Sequence, residues 1–166
     1  MNLSQTLVGF VLALCVSTVS ADWVVVGVAY SCDLKTRTLD IVSTLETSQA
    51  PGHPDIPPGF RPLKYGETTI RCPLPGASLT AKFILHPPLE RGTCRGIGTN
   101  NFYGLRLNGK VVVKPELFGD GCFFEDTLAT LEVTPAKAGF ILKKCYVAEL
   151  GDIESRENLK CSVARQ

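Results

Sequence analysis

Several things are scarce in this 166-residue chain, and each scarcity closes a class of chemistry. There are two histidines, His53 and His86, and each precedes a proline. A nucleophilic triad would need one of them, and no Gly-x-Ser-x-Gly elbow supplies a serine. No Cys-x-x-Cys occurs, and the gaps between the last six cysteines are 40, 22, 28, 23 and 16 residues. That spacing suits neither a zinc cage nor a thioredoxin-type dithiol, so no metal and no cofactor is expected. Gly92, Gly96 and Gly98 surround Cys94 without forming a phosphate-binding fingerprint, so turns and bulges are their expected use. Excess charge is lacking too. Lys and Arg number 17 against 16 Asp and Glu, a net charge of +1 that gives no case for nucleic acid or an anionic membrane surface.

What is present begins with the first 21 residues, which carry no charged side chain. An apolar stretch from Leu7 to Val16 is followed by a small, polar segment, Ser17–Ala21. Val19 and Ala21 occupy the positions a signal peptidase reads, so a cleaved leader is expected over 1–21. Ten apolar residues are too few to span a bilayer, which takes about 20, and no later segment does better. Cys15 falls inside that apolar stretch and behind Leu14, where lipid attachment wants a small residue. Removing 21 residues from 166 leaves 145, enough for one domain with a real core, 22–166. The only Asn-x-Ser/Thr sequon, Asn2-Leu3-Ser4, lies in the leader.

The remainder reads as short strands broken by turns. Trp23–Tyr30 is an apolar run, and Arg37–Glu46 alternates with Leu39, Ile41 and Leu45 on one face. Thr68–Leu74 aligns Ile70, Cys72 and Leu74, and Leu79–Leu85 aligns Leu79, Ala81, Phe83 and Leu85. Thr127–Val133 and Phe140–Leu150 are further strand candidates. Asn108-Gly109 between apolar β-formers predicts a type I′ hairpin, because both residues accept positive φ. Gly151–Lys160 reads as a short helix capped by Asp152 or equally as a polar loop. Between the second and third strands, Ser48–Gly66 holds five prolines and is expected to leave the ladder as a surface loop. The fold class that follows is all-β: an antiparallel β-sandwich or small barrel, of immunoglobulin-like size.

Six cysteines behind a leader imply about three disulfides and an oxidising, secreted or periplasmic setting. Residues paired across a hairpin centred on Asn108-Gly109 have numbers totalling about 217, and Cys94 with Cys122 total 216. That near-match predicts Cys94–Cys122, with the neighbouring glycines leaving room for a bulge. Cys145 and Cys161 flank the 151–158 turn region, which leaves Cys32 with Cys72 across the Pro-rich segment. Cys32-Asp33, Ile70-Arg71-Cys72-Pro73-Leu74, Cys94-Arg95-Gly96, the basic hairpin and Phe118-Gly119-Asp120-Gly121-Cys122 together resemble a group of uncharacterised exported bacterial proteins. The resemblance covers about Cys32–Cys122. It implies a periplasmic or secreted setting and carries no activity.

Two carboxylates facing across a cleft would serve a glycosidase. Asp33, Glu46, Glu67, Asp120, Glu125, Asp126 and Glu132 are available, but sequence does not converge them. The adjacent pair Glu125-Asp126 would point to opposite faces of a strand. The expectation is a non-enzymatic binding module whose partner is another protein, in the manner of an inhibitor or immunity protein. Phe60 and Tyr65 in the Pro-rich segment, with His53, would anchor it. Phe102 and Tyr103 near turns and an Arg91/Arg95 patch would add contacts. A small extracellular hydrolase using acidic residues and a structural surface protein are the alternatives.

Overall fold

The computed structural model describes residues 23–47, 54–87, 99–119, 127–147 and 159–166. Eleven strands form, and no helix occurs among the described residues. In chain order they are β1 (Trp23–Asp33), β2 (Thr38–Thr47), β3 (Arg61–Pro62), β4 (Gly66–Leu74), β5 (Ala77–His86), β6 (Thr99–Leu107), β7 (Lys110–Val113), β8 (Glu116–Leu117), β9 (Leu128–Pro135), β10 (Phe140–Tyr146) and β11 (Lys160–Arg165). One antiparallel sheet runs β11-β10-β9-β2-β1-β3, and the other runs β4-β5-β6-β7 with β8 also on β6. The expected all-β sandwich is the fold. Cys32–Cys72 and Cys145–Cys161 are both disulfide-bonded, as expected, and they suit an oxidising compartment. Cys94 and Cys122, like residues 1–22, lie outside the described residues.

Alternation explains the core. In β5 the four residues Leu79, Ala81, Phe83 and Leu85 are all at most 1% exposed, while Lys82 and His86 between and beyond them face outward. In β4 the same rule buries Ile70, Cys72 and Leu74. The six-stranded sheet answers with Val28, Leu39, Ile41, Leu131, Val133 and Leu142, and one continuous cluster fills the space between the sheets. At its centre Phe83 stacks on Phe102 with ring centroids 4.8 Å apart, and Phe118 meets both edge-on at 5.4 and 5.8 Å. Each such ring buried contributes about 1.5–3 kcal/mol by transfer alone. Cys32 and Cys72, on facing sheets, are joined with Cα atoms 5.8 Å apart.

The Asn108-Gly109 turn forms as expected, with φ of 50° and 82°. Arg106 pairs Val111 and Leu107 pairs Lys110, both centred on the turn. The ladder then slips by one residue, so Leu105 opposes Val113 and Phe102 opposes Glu116. Gly104 sits at a second bulge, against β5, where Phe102 opposes Phe83 and Leu105 opposes Ala81; its φ is 99°, and a Cβ there would meet the Val113 carbonyl oxygen at 2.5 Å.

One expectation is corrected. The Pro-rich segment does not leave the ladder: Arg61 and Pro62 pair with Tyr30 and Ala29. The Leu63 amide donates to the Val28 carbonyl at 2.8 Å, and the Asp55 amide to the Leu45 carbonyl at 2.7 Å. The donors are the non-proline residues, and Pro62 is tolerated because β3 is the edge of its sheet. The segment 151–158, where a short helix or a polar loop was possible, lies outside the described residues, and strand β11 begins at Lys160. All six side chains of β11 are exposed, Val163 by 65%. The strand is held by its ladder to β10 and by Cys145–Cys161, which are directly opposite one another.

Candidate functional site

The Cys32–Cys72 bridge sits where strand β1 of one sheet approaches strand β4 of the other. Beside it opens a cleft of about 230 Å³ lined by Tyr30, Ser31, Cys32, Leu34, Gly59, Arg61, Arg71 and Pro73. Three segments build it. β1 and the turn after it supply Tyr30 to Leu34. The Pro-rich segment, laid along β1, supplies Gly59 and Arg61. β4 supplies the outward residues Arg71 and Pro73, which alternate with buried Ile70, Cys72 and Leu74.

Among the described residues, the charged ones lining this cleft are both arginines. Asp33, the nearest acid along β1, is engaged elsewhere. Its Oδ1 accepts the Lys35 amide at 2.7 Å and the Thr36 amide at 3.3 Å, closing the β1–β2 turn. The Lys35 backbone bond, followed by bonds from Thr36, holds the Asp33 carboxyl below its ordinary value. Arg37 in the same turn is also occupied: it donates to the Pro75 carbonyl at 3.1 Å and lies 5.6 Å above the Phe140 ring. Turns from the two sheets are thereby tied together near the cleft.

The residues expected to make a binding site are dispersed. Phe60 is half-buried, its amide bonded to the Pro57 carbonyl at 3.0 Å, one residue from both Gly59 and Arg61. Tyr65 is 53% exposed at the end of the same segment. Phe102 is corrected: at 1% exposure it is a core residue and presents nothing to a partner. Tyr103, next to it, is 49% exposed and lies under Lys82 Nζ, 5.8 Å from its ring; Lys82 also pairs with Glu67 at 2.5 Å. Tyr103 lines a separate, shallow depression of about 280 Å³ with Pro115 and Glu116. His53, Arg91 and Arg95 lie outside the described residues. Arg61 and Arg71 were not among the expected binding residues. Their signal in the sequence was indirect: Arg71 adjoins Cys72, and Arg61 adjoins Phe60.

Two polar groups were weighed as sites of chemistry. Lys144 Nζ, Tyr146 Oη and Glu116 meet between β10 and β8, at 2.5 Å for the lysine–tyrosine bond and 2.9 Å for the tyrosine–glutamate bond. Burial works against the Lys144 ammonium, but the Tyr146 bond and the Glu116 charge outweigh it and raise its pKa. Burial, then Glu116, raises Tyr146 as well. Both groups are moved away from neutrality, which is wrong for an acid–base pair and right for a pin between two sheets.

The second group is Asp40, paired directly with Glu132 across β2 and β9, with Lys143 Nζ 3.8 Å from Glu132. Burial, then repulsion from Glu132, raises the Asp40 pKa above its ordinary 3.8. The two acids lie side by side on a sheet face, and neither lines any of the described cavities. Because the folded state binds the Asp40 proton more tightly, stability falls as pH rises from 3.8 through the raised value. Asp40→Asn is therefore expected to gain about 0.5 kcal/mol at pH 7, after solvent screening, and nothing at pH 3. Urea midpoints at the two pH values check this; equal midpoints at pH 7 would contradict it.

No group of three or more His, Cys, Asp or Glu among the described residues has metal-binding geometry. A cavity of about 510 Å³ lies by the β9–β10 turn, walled by that turn, Ile141 of β10 and Arg165 of the wholly exposed β11, all of one sheet. The disulfide-braced cleft draws its described lining from both sheets. No family model, curated protein or solved structure matches the chain.

Proposed function

We propose that the protein is a non-enzymatic binding module of an oxidising, extracytoplasmic compartment. It recognises another protein through the end of the sandwich that Cys32–Cys72 braces. The observation that carries this reading is the cleft itself: among its described lining residues are two arginines and no acid, set in walls drawn from both sheets and joined by Cys32–Cys72. Rigid sheets that hold adaptable connecting segments suit recognition. Leu34, 52% exposed on the cleft lining, and Phe60, between the lining residues Gly59 and Arg61, offer apolar contact area at the same end. Apolar and aromatic residues beside arginine are the composition of binding hot spots.

A photo-crosslinking residue placed at Leu34 or at Phe60 should capture one and the same partner from extracts of the native compartment. The same residue at Val163, on β11, should not. Equal capture from all three positions, or none from any, would overturn the assignment of this surface.

A further inference from the structure

We infer that the cleft between Arg61 and Arg71 is a carboxylate-binding pocket, and that its natural occupant is an acidic side chain with an apolar neighbour on the partner's surface. This rests on the binding-module reading and names the chemistry of that same site.

The cleft's lining combines two permanent positive charges with the Ser31 and Tyr30 positions. Arginine stays protonated at any physiological pH and presents a planar fork of donors that matches an oxyanion. Two like charges sharing one small concavity repel each other when it is empty, and an anion relieves that repulsion. A cleft lined by one sign of charge also focuses its field outward and raises the local concentration of opposite charge.

Among the described residues, none of the salt bridges or side-chain hydrogen bonds involves the guanidinium of Arg61 or Arg71. Asp33 is committed to its own turn. This separates these arginines from Arg37, which bonds Pro75, and from Arg106, which bonds the Gly109 carbonyl at 3.1 Å.

Size and rim select the occupant. About 230 Å³ admits one short acidic side chain rather than a polymer. Leu34, half-exposed on the lining, and Pro73, also on it, give apolar contact that a free inorganic anion would leave unused. An acidic residue beside an apolar one satisfies both.

The test uses tetraglutamate peptide, acetate and sulfate as probes. Binding is followed by calorimetry and by NMR of the arginine Nε–H groups in the intact, oxidised chain. Tetraglutamate should bind, acetate should compete with it, and both should move the Arg61 and Arg71 signals. Arg61→Gln and Arg71→Gln should each lower tetraglutamate affinity by about tenfold, the usual effect of losing a charge-assisted bond. Both residues are exposed, so unchanged unfolding midpoints will show that the variants fold. Absence of tetraglutamate binding at millimolar concentration, or binding indifferent to both substitutions, overturns the inference. Sulfate competing more strongly than acetate overturns the carboxylate assignment in favour of a sulfated or phosphorylated group. If Arg61→Gln and Arg71→Gln leave partner capture from Leu34 and Phe60 intact, the carboxylate inference falls while the binding-module reading stands. If capture fails in the wild-type chain, the reading itself falls.

Discussion

Phe83→Ala is expected to destabilise the protein by about 4 kcal/mol. Phe83 is fully buried on β5, the second strand of its sheet, and stacks on Phe102 while meeting the edge of Phe118. Truncation removes the transfer free energy of a ring and leaves a cavity that two rigid aromatic neighbours fill poorly. Against a typical domain stability of roughly 5–15 kcal/mol, that is a large fraction. Tyr103→Ala, on the exposed side of β6, is the control and should fall within about 0.5 kcal/mol of wild type. Urea denaturation of the two variants measures the contrast. Comparable losses in both would mean that the aromatic cluster is not the centre of the core.

The second large effect is expected from Cys32→Ala with Cys72→Ala. Alanine is the appropriate replacement because Cys72 is 0% exposed, and a serine hydroxyl there would be buried among apolar side chains. A sequence separation of 40 residues gives about 4 kcal/mol from the loop entropy returned to the unfolded chain, and the 16-residue separation of Cys145–Cys161 gives about 3 kcal/mol. The two losses differ in kind. Cys32–Cys72 joins different sheets, whereas Cys145–Cys161 joins neighbouring strands of one sheet. Removing the first should therefore weaken tetraglutamate binding even where the variant is fully folded, because Arg61 and Arg71 stand on walls that the bridge holds together. Phe83→Ala should spare binding under the same conditions. Chemical denaturation and calorimetry on both variants separate stability from site geometry, and undiminished binding without the bridge would refute the bracing role.

These outcomes rest on features of unequal legibility. Strand β5 was legible because Leu79, Ala81, Phe83 and Leu85 recur with period two, and a half-buried strand has no other pattern. The hairpin was legible because Asn-Gly satisfies a local demand for positive φ. Phe102 was misread for a specific reason. Phe102 and Leu105 are both buried although three positions apart, because the bulge at Gly104 breaks the alternation between them. A bulge depends on the partner strand, and a linear pattern does not register it. The Pro-rich segment was misread likewise: its partner is the free edge of β1, a tertiary circumstance. The cleft was illegible for the strongest reason. Leu34, Arg61 and Arg71 come from three segments that meet only after both sheets have formed and Cys32 has found Cys72.

Strand β11 has a consequence of another sort. A strand bonded through its backbone and one disulfide, with every side chain in solvent, asks of its sequence only β-compatibility and a cysteine at position 161. Ser162, Val163 and Ala164 carry no obligation to the core. The molecule thus possesses a display strip, a stretch whose chemical character can drift or be rewritten while the scaffold beneath it stays fixed. Selection acting on surface properties has room there that it lacks at Phe83 or Cys72.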